Sequence, residues 1–477
     1  MGDTAHLNKN SIGLPALVFF VVAAASPLTG LVGGMPIAIL EGNGGGVPGI
    51  YILSGVVLLL FSIGFITMSR HVKNSGAFYA YISAGLGNNL GISGLGIAIL
   101  AYVSIQIAIA AIFGLFTQIL FHDYFNIDLP WWLYTLVMLV IVCLLGIERV
   151  EIGGKVLGVL MIIELAIALI ISFITAYLQA QTASLDFTPF SLGVVFHGNV
   201  GIALVFAVAG FIGFEATAIY SEECRNPERN IPLATILAVV IITAFFAFCS
   251  WGLIQAYGVK DVQAAVAKSP ELFVFNLAQA ALGKWSVLAI NILLITSLFA
   301  ATQSFHNNIT RYFYYISRDG LFWKRLAVLH ATKGTPYFSS ICQTITMMVI
   351  IAILVVTKQN PLTAIFTWGS AITTMSILLL QTLVSVAVIL YFKNRKDLNI
   401  AQWKVFYAPL LSAIIMAVFI GIVVVNLDIL SGVHSKFIFL IPLFVFGTAV
   451  GGFIYSLIIK RLKPNIYNNL DQIINEA

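Results

Sequence analysis

Phe206 to Pro232 reads FAVAGFIGFEATAIYSEECRNPERNIP, and its mixture of apolar length and polar interruption decides the fold. The first half is apolar enough to lie in a bilayer. Yet it carries Gly210, Gly213 and then Glu215, about two helical turns before Ser221, Glu222 and Glu223. A carboxylate near mid-membrane costs about 2.5 to 3.5 kcal/mol on insertion scales, so it faces a cavity, a partner or a carried solute. Each glycine lowers helix propensity by about 1 kcal/mol and lets the backbone open, exposing carbonyls and amides beside the carboxyl. The stretch predicts half of a solute site inside a membrane helix.

The rest of the chain shares this character. Of 477 residues, 60% are hydrophobic and 9% charged, with a mean hydropathy of +1.01. That composition excludes a soluble globular domain and predicts an all-α polytopic membrane protein in contact with lipid. The net charge of +5 is not a nucleic-acid signature, because the basic residues sit in alternate loops. Cys143, Cys224, Cys249 and Cys342 show neither CxxC nor metal spacing, so no disulfide, metal or cofactor is expected. There is no HExxH, no GxSxG and no carboxyl pair on one helix, so no enzyme is expected either.

Apolar runs predict twelve spans, near 13–40, 49–69, 90–120, 131–147, 156–180, 199–220, 232–256, 285–310, 338–357, 362–392, 407–427 and 437–459. With the N-terminus in the cytoplasm, 19 of the 24 Lys and Arg fall on the inner side, so both termini, 1–12 and 460–477, are expected to be cytoplasmic tails of a cell (inner) membrane protein. Ala23-Ala24-Ala25 resembles a signal-peptidase site, but the apolar run continues past it, as in an anchor. The polar stretch Arg70 to Tyr81 is expected to lie along the inner surface.

The first span is interrupted at Ser26-Pro27-Leu28-Thr29-Gly30, where Pro27 removes a backbone donor, and Gly33-Gly34 follows. A lone kink of this kind also serves plain helix packing. Two interrupted helices in corresponding positions of two halves point instead to a midplane transport site. Tyr102 and Gln106, four residues apart, share one face of the third span, where packing is the commoner role and solute contact the alternative. Glu164 and Glu215 are the acidic residues inside the spans, with no Lys or Arg deep enough to neutralise them; each is either protonated or faces water or ligand. Lone carboxyls that can take up a proton suit proton coupling or gating. Glu222, Glu223, Arg225, Arg318 and Asp319 form a charged belt able to latch an inner gate, although a solvated face is the default for such charges. His306 is expected to be a packed neutral residue. Thr296, Ser297 and Ser304 would be hydroxyl ligands for sodium, a less favoured coupling ion.

These residues resemble the amino acid/polyamine/organocation superfamily, in its bacterial amino acid permease form. The resemblance rests on Phe211-Ile212-Gly213-Phe214-Glu215 followed by Ser221-Glu222-Glu223-Cys224-Arg225-Asn226-Pro227-Glu228-Arg229-Asn230-Ile231-Pro232, on Arg318-Asp319-Gly320-Leu321, and on Gly76 to Tyr81. It implies a leucine-transporter-like fold: a five-plus-five inverted repeat over 13–180 and 199–392, with two peripheral helices over 407–459. It implies that Ala25, Pro27, Leu28, Thr29 and Gly30 line the first break and hold a substrate carboxylate. Phe211, Gly213 and Phe214 would line the second, the phenylalanines as lids, and Glu215 would sense or gate protons. Two differences stand out. Pro27-Leu28-Thr29 replaces a glycine-rich break and removes an amide donor. Glu164 stands near a position where several proton-coupled members carry lysine, and so would be a second protonation site or part of a cation site.

The expectation is a secondary active transporter moving an amino acid by alternating access, coupled to protons. The alternatives are a polyamine (putrescine-like) permease, in which Glu215 or Glu164 pairs with a substrate ammonium, an amino acid/amine exchanger, and, more distantly, a nutrient sensor that binds without carrying. The sensor's usual mark would be a soluble extension, which two short tails do not supply.

Overall fold

The computed structural model describes residues 12–72, 78–148, 151–218, 220, 223–393, 395, 398–427, 440–468 and 470. Glu222, residues 73–77 of the surface stretch, residues 1–11 and residues 469 and 471–477 lie outside the described residues. Within these, the regular structure is helical apart from one isolated parallel bridge between Ile12 and Cys224. Nine described stretches are long and apolar enough to cross a membrane, and Trp131–Ile147 and Val200–Ala209 are shorter apolar helices. The first of the nine, Leu14–Ser69, has 56 residues. As one straight helix it would be more than twice as long as a hydrocarbon core of about 30 Å. It is divided instead: Gly42 leaves helical geometry (φ −95°, ψ −124°) and Gly44 sits at φ 58°.

The main helices are α1 (Leu14–Ala25), α2 (Val47–Ser69), α3 (Phe78–Leu86), α4 (Asn88–Phe125), α5 (Trp131–Ile147), α6 (Glu151–Thr182) and α7 (Val200–Ala209). They continue with α8 (Pro227–Gln255), α9 (Trp285–Arg318), α10 (Tyr337–Val356), α11 (Thr367–Lys393), α12 (Ala408–Val425) and α13 (Leu440–Leu462). Long α4 is the axle, packed against α3, α5, α9, α11 and α13. Opposite it, α8 packs on α1, α2 and α6.

Helix α1 stops where proline chemistry requires. Ser26 turns left-handed (φ 45°, ψ 70°), its amide is shared between the Val22 and Ala23 carbonyls at 3.2 Å each, and Pro27 has no amide to continue the ladder. The chain then runs on to Asn43 through short α turns and wider π turns. Helix α7 stops at Gly210, a series of tight turns follows, and a 3₁₀ turn spans Phe214–Ala218. Gly213 is required there twice over. Its φ of +110° is open only to glycine, and an added Cβ would lie 2.6 Å from Ala24 Cβ at the other break. Gly213→Ala should therefore combine about 1 to 3 kcal/mol of backbone strain with a similar overpacking cost. A melting temperature in detergent equal to that of the unaltered protein would contradict this contact between the breaks.

The two interrupted helices are also tied at both ends. On one side, Ile12 N donates to Glu223 O at 3.1 Å and Arg225 N to Ile12 O at 2.8 Å. On the other, Asn199 N donates to Gly42 O at 3.0 Å, Asn199 Nδ2 to Glu41 O at 3.0 Å, and Asn43 Nδ2 to Val195 O at 2.8 Å. These bonds join the two interrupted helices at both ends.

Candidate functional site

The breaks enclose a cavity of about 30 Å³. That holds about two waters. The first break contributes Ala24, Ala25, Ser26, Thr29, Gly30 and Gly34 to its wall, and α7 with the following residue contributes Phe206, Ala209 and Gly210. The scaffold closes it with Ile105 and Ile109 of α4, Phe305 of α9, and Phe366 and Ser370 at the start of α11. Phe206 and Phe366 stack across it with ring centres 6.1 Å apart. No charged side chain lines this cavity.

Of the residues expected at the first break, Ala25, Thr29 and Gly30 line the cavity, whereas Pro27 and Leu28 are buried outside its wall. Phe211, Gly213 and Phe214 are buried but not in the wall; Phe214 meets Phe61 of α2 edge-on at 6.1 Å. The aromatic pair over the cavity is instead Phe206 with Phe366. Phe206 was in plain view one turn before Gly210. Phe305, Phe366, Ser370, Ile105 and Ile109 carried no motif; only the α4 spacing of Ile105 and Ile109, one turn apart and flanking Gln106, could have suggested them.

Glu215 is fully buried beside the second break. Tyr102 Oη donates to its Oε1 at 2.7 Å, and the Gly213 amide, freed by the turn, donates to Oε2 at 3.1 Å. Tyr102 also packs on Phe305 and Tyr312, with ring centres 5.9 and 5.7 Å away. The carboxyl is thus held by two donors from different elements. Gln106, on the same helix face, is used differently. Its Nε2 donates to Thr302 O at 3.3 Å and its Oε1 accepts from Gln343 Nε2 at 2.7 Å, tying α4 to α9 and α10.

Glu164 of α6 reaches the first break from the opposite side. Its Oε1 accepts from Ser297 Oγ of α9 at 2.9 Å and from the Leu28 amide at 3.4 Å. Ser297 and Ser26 hydroxyls are 2.9 Å apart, and Ser26 and Thr29 hydroxyls 2.5 Å, so a line of hydroxyls joins Glu164 to the cavity wall. Thr296 borders a small gap beside Glu164, together with Ala23, Leu160, Met161, Ser297 and Ala300. Ser304 is not among its lining. Among the described residues no cluster of His, Cys, Asp and Glu has the make-up of a metal site. His306 is buried, its Nε2 2.7 Å from Ser340 Oγ.

Beyond the breaks, toward the Ile12 end, charged and aromatic groups cluster between elements. Arg311 of α9 reaches Glu223 with a two-pronged pair, Nε to Oε1 at 2.9 Å and Nη2 to Oε2 at 3.3 Å, the side chains 10% and 11% exposed. Its guanidinium also lies 4.8 Å from the Tyr220 ring centre. Tyr220 in turn stacks on Phe20 of α1 at 5.5 Å and donates to Asn308 Oδ1 at 3.1 Å. A second group joins α3 to the end of α9: Tyr79 Oη donates to Asp319 Oδ2 at 2.8 Å, and Arg318 Nε lies 3.5 Å from Asp319 Oδ1. Burial, with the Asp319 carboxylate beside it, holds the Tyr79 phenol well above its ordinary range, so it stays a donor. Arg225 is exposed, and its backbone amide completes the Ile12 bridge.

The family model described as amino acid permease matches residues 17–468. The chain is 24% identical over 305 residues to cationic amino acid transporter 1 of Arabidopsis thaliana, covering 60% of this chain and 48% of that protein. It is 22% identical over 317 residues to the L-lysine transport protein of Corynebacterium glutamicum, covering 64% and 60% respectively. Against a branched-chain amino acid permease of Bacillus subtilis it is 27% identical over 250 residues, covering 52% and 48%. The chain thus spans about half the length of the curated relatives it matches, somewhat more for the lysine protein.

Proposed function

Because the chain belongs to the amino acid permease family, we propose that it carries a neutral amino acid across the cell membrane, with the cavity between its two broken helices as the substrate site. One observation carries this: the cavity joins both breaks and has no charged side chain in its wall. A free α-carboxylate and α-amine are met there by backbone, while the substrate side chain meets Phe206, Phe305, Phe366, Ile105 and Ile109. In this scheme the chain crosses the membrane twelve times, its halves form the inverted repeat, and both termini are cytoplasmic. Outward-facing aliphatics such as Val356 and Val425, 81% and 79% exposed, then meet lipid.

Alternating access moves the tied pair of broken helices against α4 and α9. Glu215 is the coupling proton site, since its two donors come from α4 and from the turn that would move. Arg311 with Glu223, and Asp319 with Tyr79 and Arg318, latch the cytoplasmic side. Glu164, linked through Ser297 and Ser26 to the cavity, responds to the first break.

A second reading has one observation in its favour. The same line of hydroxyls would let Glu164 sense a cationic substrate, and two of the relatives are named for cationic amino acids. Uptake into proteoliposomes of a radiolabelled panel separates the readings: neutral, aromatic and cationic amino acids plus putrescine, with an inward proton gradient and no sodium. Accumulation of a neutral amino acid is expected. Accumulation of putrescine or lysine alone would transfer the assignment to the cationic reading, and uptake only with sodium would remove proton coupling.

A further inference from the structure

Gly30 and Gly210 both line the cavity, yet neither needs glycine for its backbone: their torsions are right-handed, φ −61°, ψ −41° and φ −65°, ψ −12°. What excludes a side chain at each is the same ring. A Cβ at Gly30 would lie 2.5 Å from Phe246 Cζ, and one at Gly210 would lie 3.0 Å from Phe246 Cε2. Phe246, on α8, is fully buried and is braced from behind by Tyr51 of α2, whose ring stacks on it at 4.7 Å and 13°. It therefore stands against both breaks at once, behind two of the three glycines in the wall.

We propose that Phe246 sets the upper size limit of the carried side chain, backing the glycine wall of the cavity and restricting it to small neutral amino acids. The proposal rests on the substrate site given above. Space in this cavity is short, at about 30 Å³, and the two wall positions that abut Phe246, Gly30 and Gly210, add no side chain to it. Trimming the ring would join the space it fills to the cavity across two bare glycines, with the Tyr51 ring as the new floor. An apolar hole of that kind stays dry and accepts an apolar guest. Hydrophobic pockets discriminate by size at about 10- to 200-fold per methylene-scale change. Phe246 thus acts as a specificity determinant through the glycines, without itself belonging to the described wall.

The test uses the full chain purified in detergent, comparing unaltered protein with Phe246→Leu and Phe246→Ala. Ligand-induced thermal stabilisation is measured with glycine, L-alanine, L-leucine and L-phenylalanine. In the unaltered protein, binding is expected to weaken from alanine to phenylalanine. Phe246→Ala should raise the affinity for leucine relative to alanine by about tenfold, with Phe246→Leu between the two. If the alanine variant does not fold, the leucine variant still decides the matter. An unchanged order of the four ligands, or an equal loss for all of them, would overturn the size limit and leave Phe246 a packing residue. Binding of none of the four by the unaltered protein would instead defeat the substrate-site reading, and this inference with it.

Discussion

Arg311→Ala is expected to destabilise the protein by about 3 to 5 kcal/mol, the penalty for leaving one partner of a buried ion pair alone. The geometry places it at the heavy end of such substitutions. Both Glu223 oxygens are held by Arg311, the side chains are about 90% enclosed, and the guanidinium also covers Tyr220. Once the guanidinium is gone, Glu223 has lost two charge-assisted donors with little water to replace them, and Tyr220 loses a cation–π contact of about 0.5 to 2 kcal/mol. Arg311→Lys should recover only part of the loss, since an ammonium keeps the charge without the fork. Thermal unfolding in detergent measures the effect. The double variant Arg311→Met with Glu223→Gln should be more stable than Arg311→Ala, because no charge is stranded. Equal melting temperatures for Arg311→Ala and the unaltered protein would show that the pair contributes nothing and remove it from the latch.

Glu215→Gln should abolish gradient-driven accumulation while sparing exchange. With one proton per substrate, each pH unit of gradient supports about a tenfold accumulation, since a pH unit corresponds to about 1.36 kcal/mol. Glutamine is nearly isosteric: its carbonyl can keep the Gly213 amide and its NH₂ can donate to Tyr102 Oη, so the turn survives without a titrating group. The tenfold factor should vanish, and counterflow of labelled against unlabelled substrate should persist. The groups facing Glu215 are the Tyr102 phenol, bonded to it, and Tyr312, packed on the Tyr102 ring. Retained accumulation with unchanged pH dependence in the variant would move coupling away from Glu215, with Glu164 next in line.

The breaks were legible in the sequence because their causes are local. Pro27 lacks a donor wherever it stands, and Gly213 permits a torsion that neighbours cannot. Ala25, Thr29 and Gly30 of the cavity wall came with the first break, but its apolar remainder was not legible, because it depends on how far each helix is rotated about its axis. Phe206, Phe305 and Phe366 come from three parts of the chain and share no motif; equally, nothing around Gln106 indicates that its amide meets Gln343, 237 positions on. The latch lies between these cases. Glu223 and Arg311 were both recognisable as charges on one side, but their pairing across 88 positions is a tertiary fact. Phe246 gave no sequence signal at all. Its significance comes only from two glycines that face it across packed helices.

The bridge between Ile12 and the Glu223 to Arg225 segment is made wholly of peptide groups. A side chain can be exchanged there without cutting it, so this coupling is silent to alanine scanning and indifferent to most inherited variation. Under the alternating-access scheme proposed above, the cavity wall could change residue by residue while this joint between the two interrupted helices is kept. Only a change that deletes an amide, such as proline at position 12 or 225, breaks the joint itself.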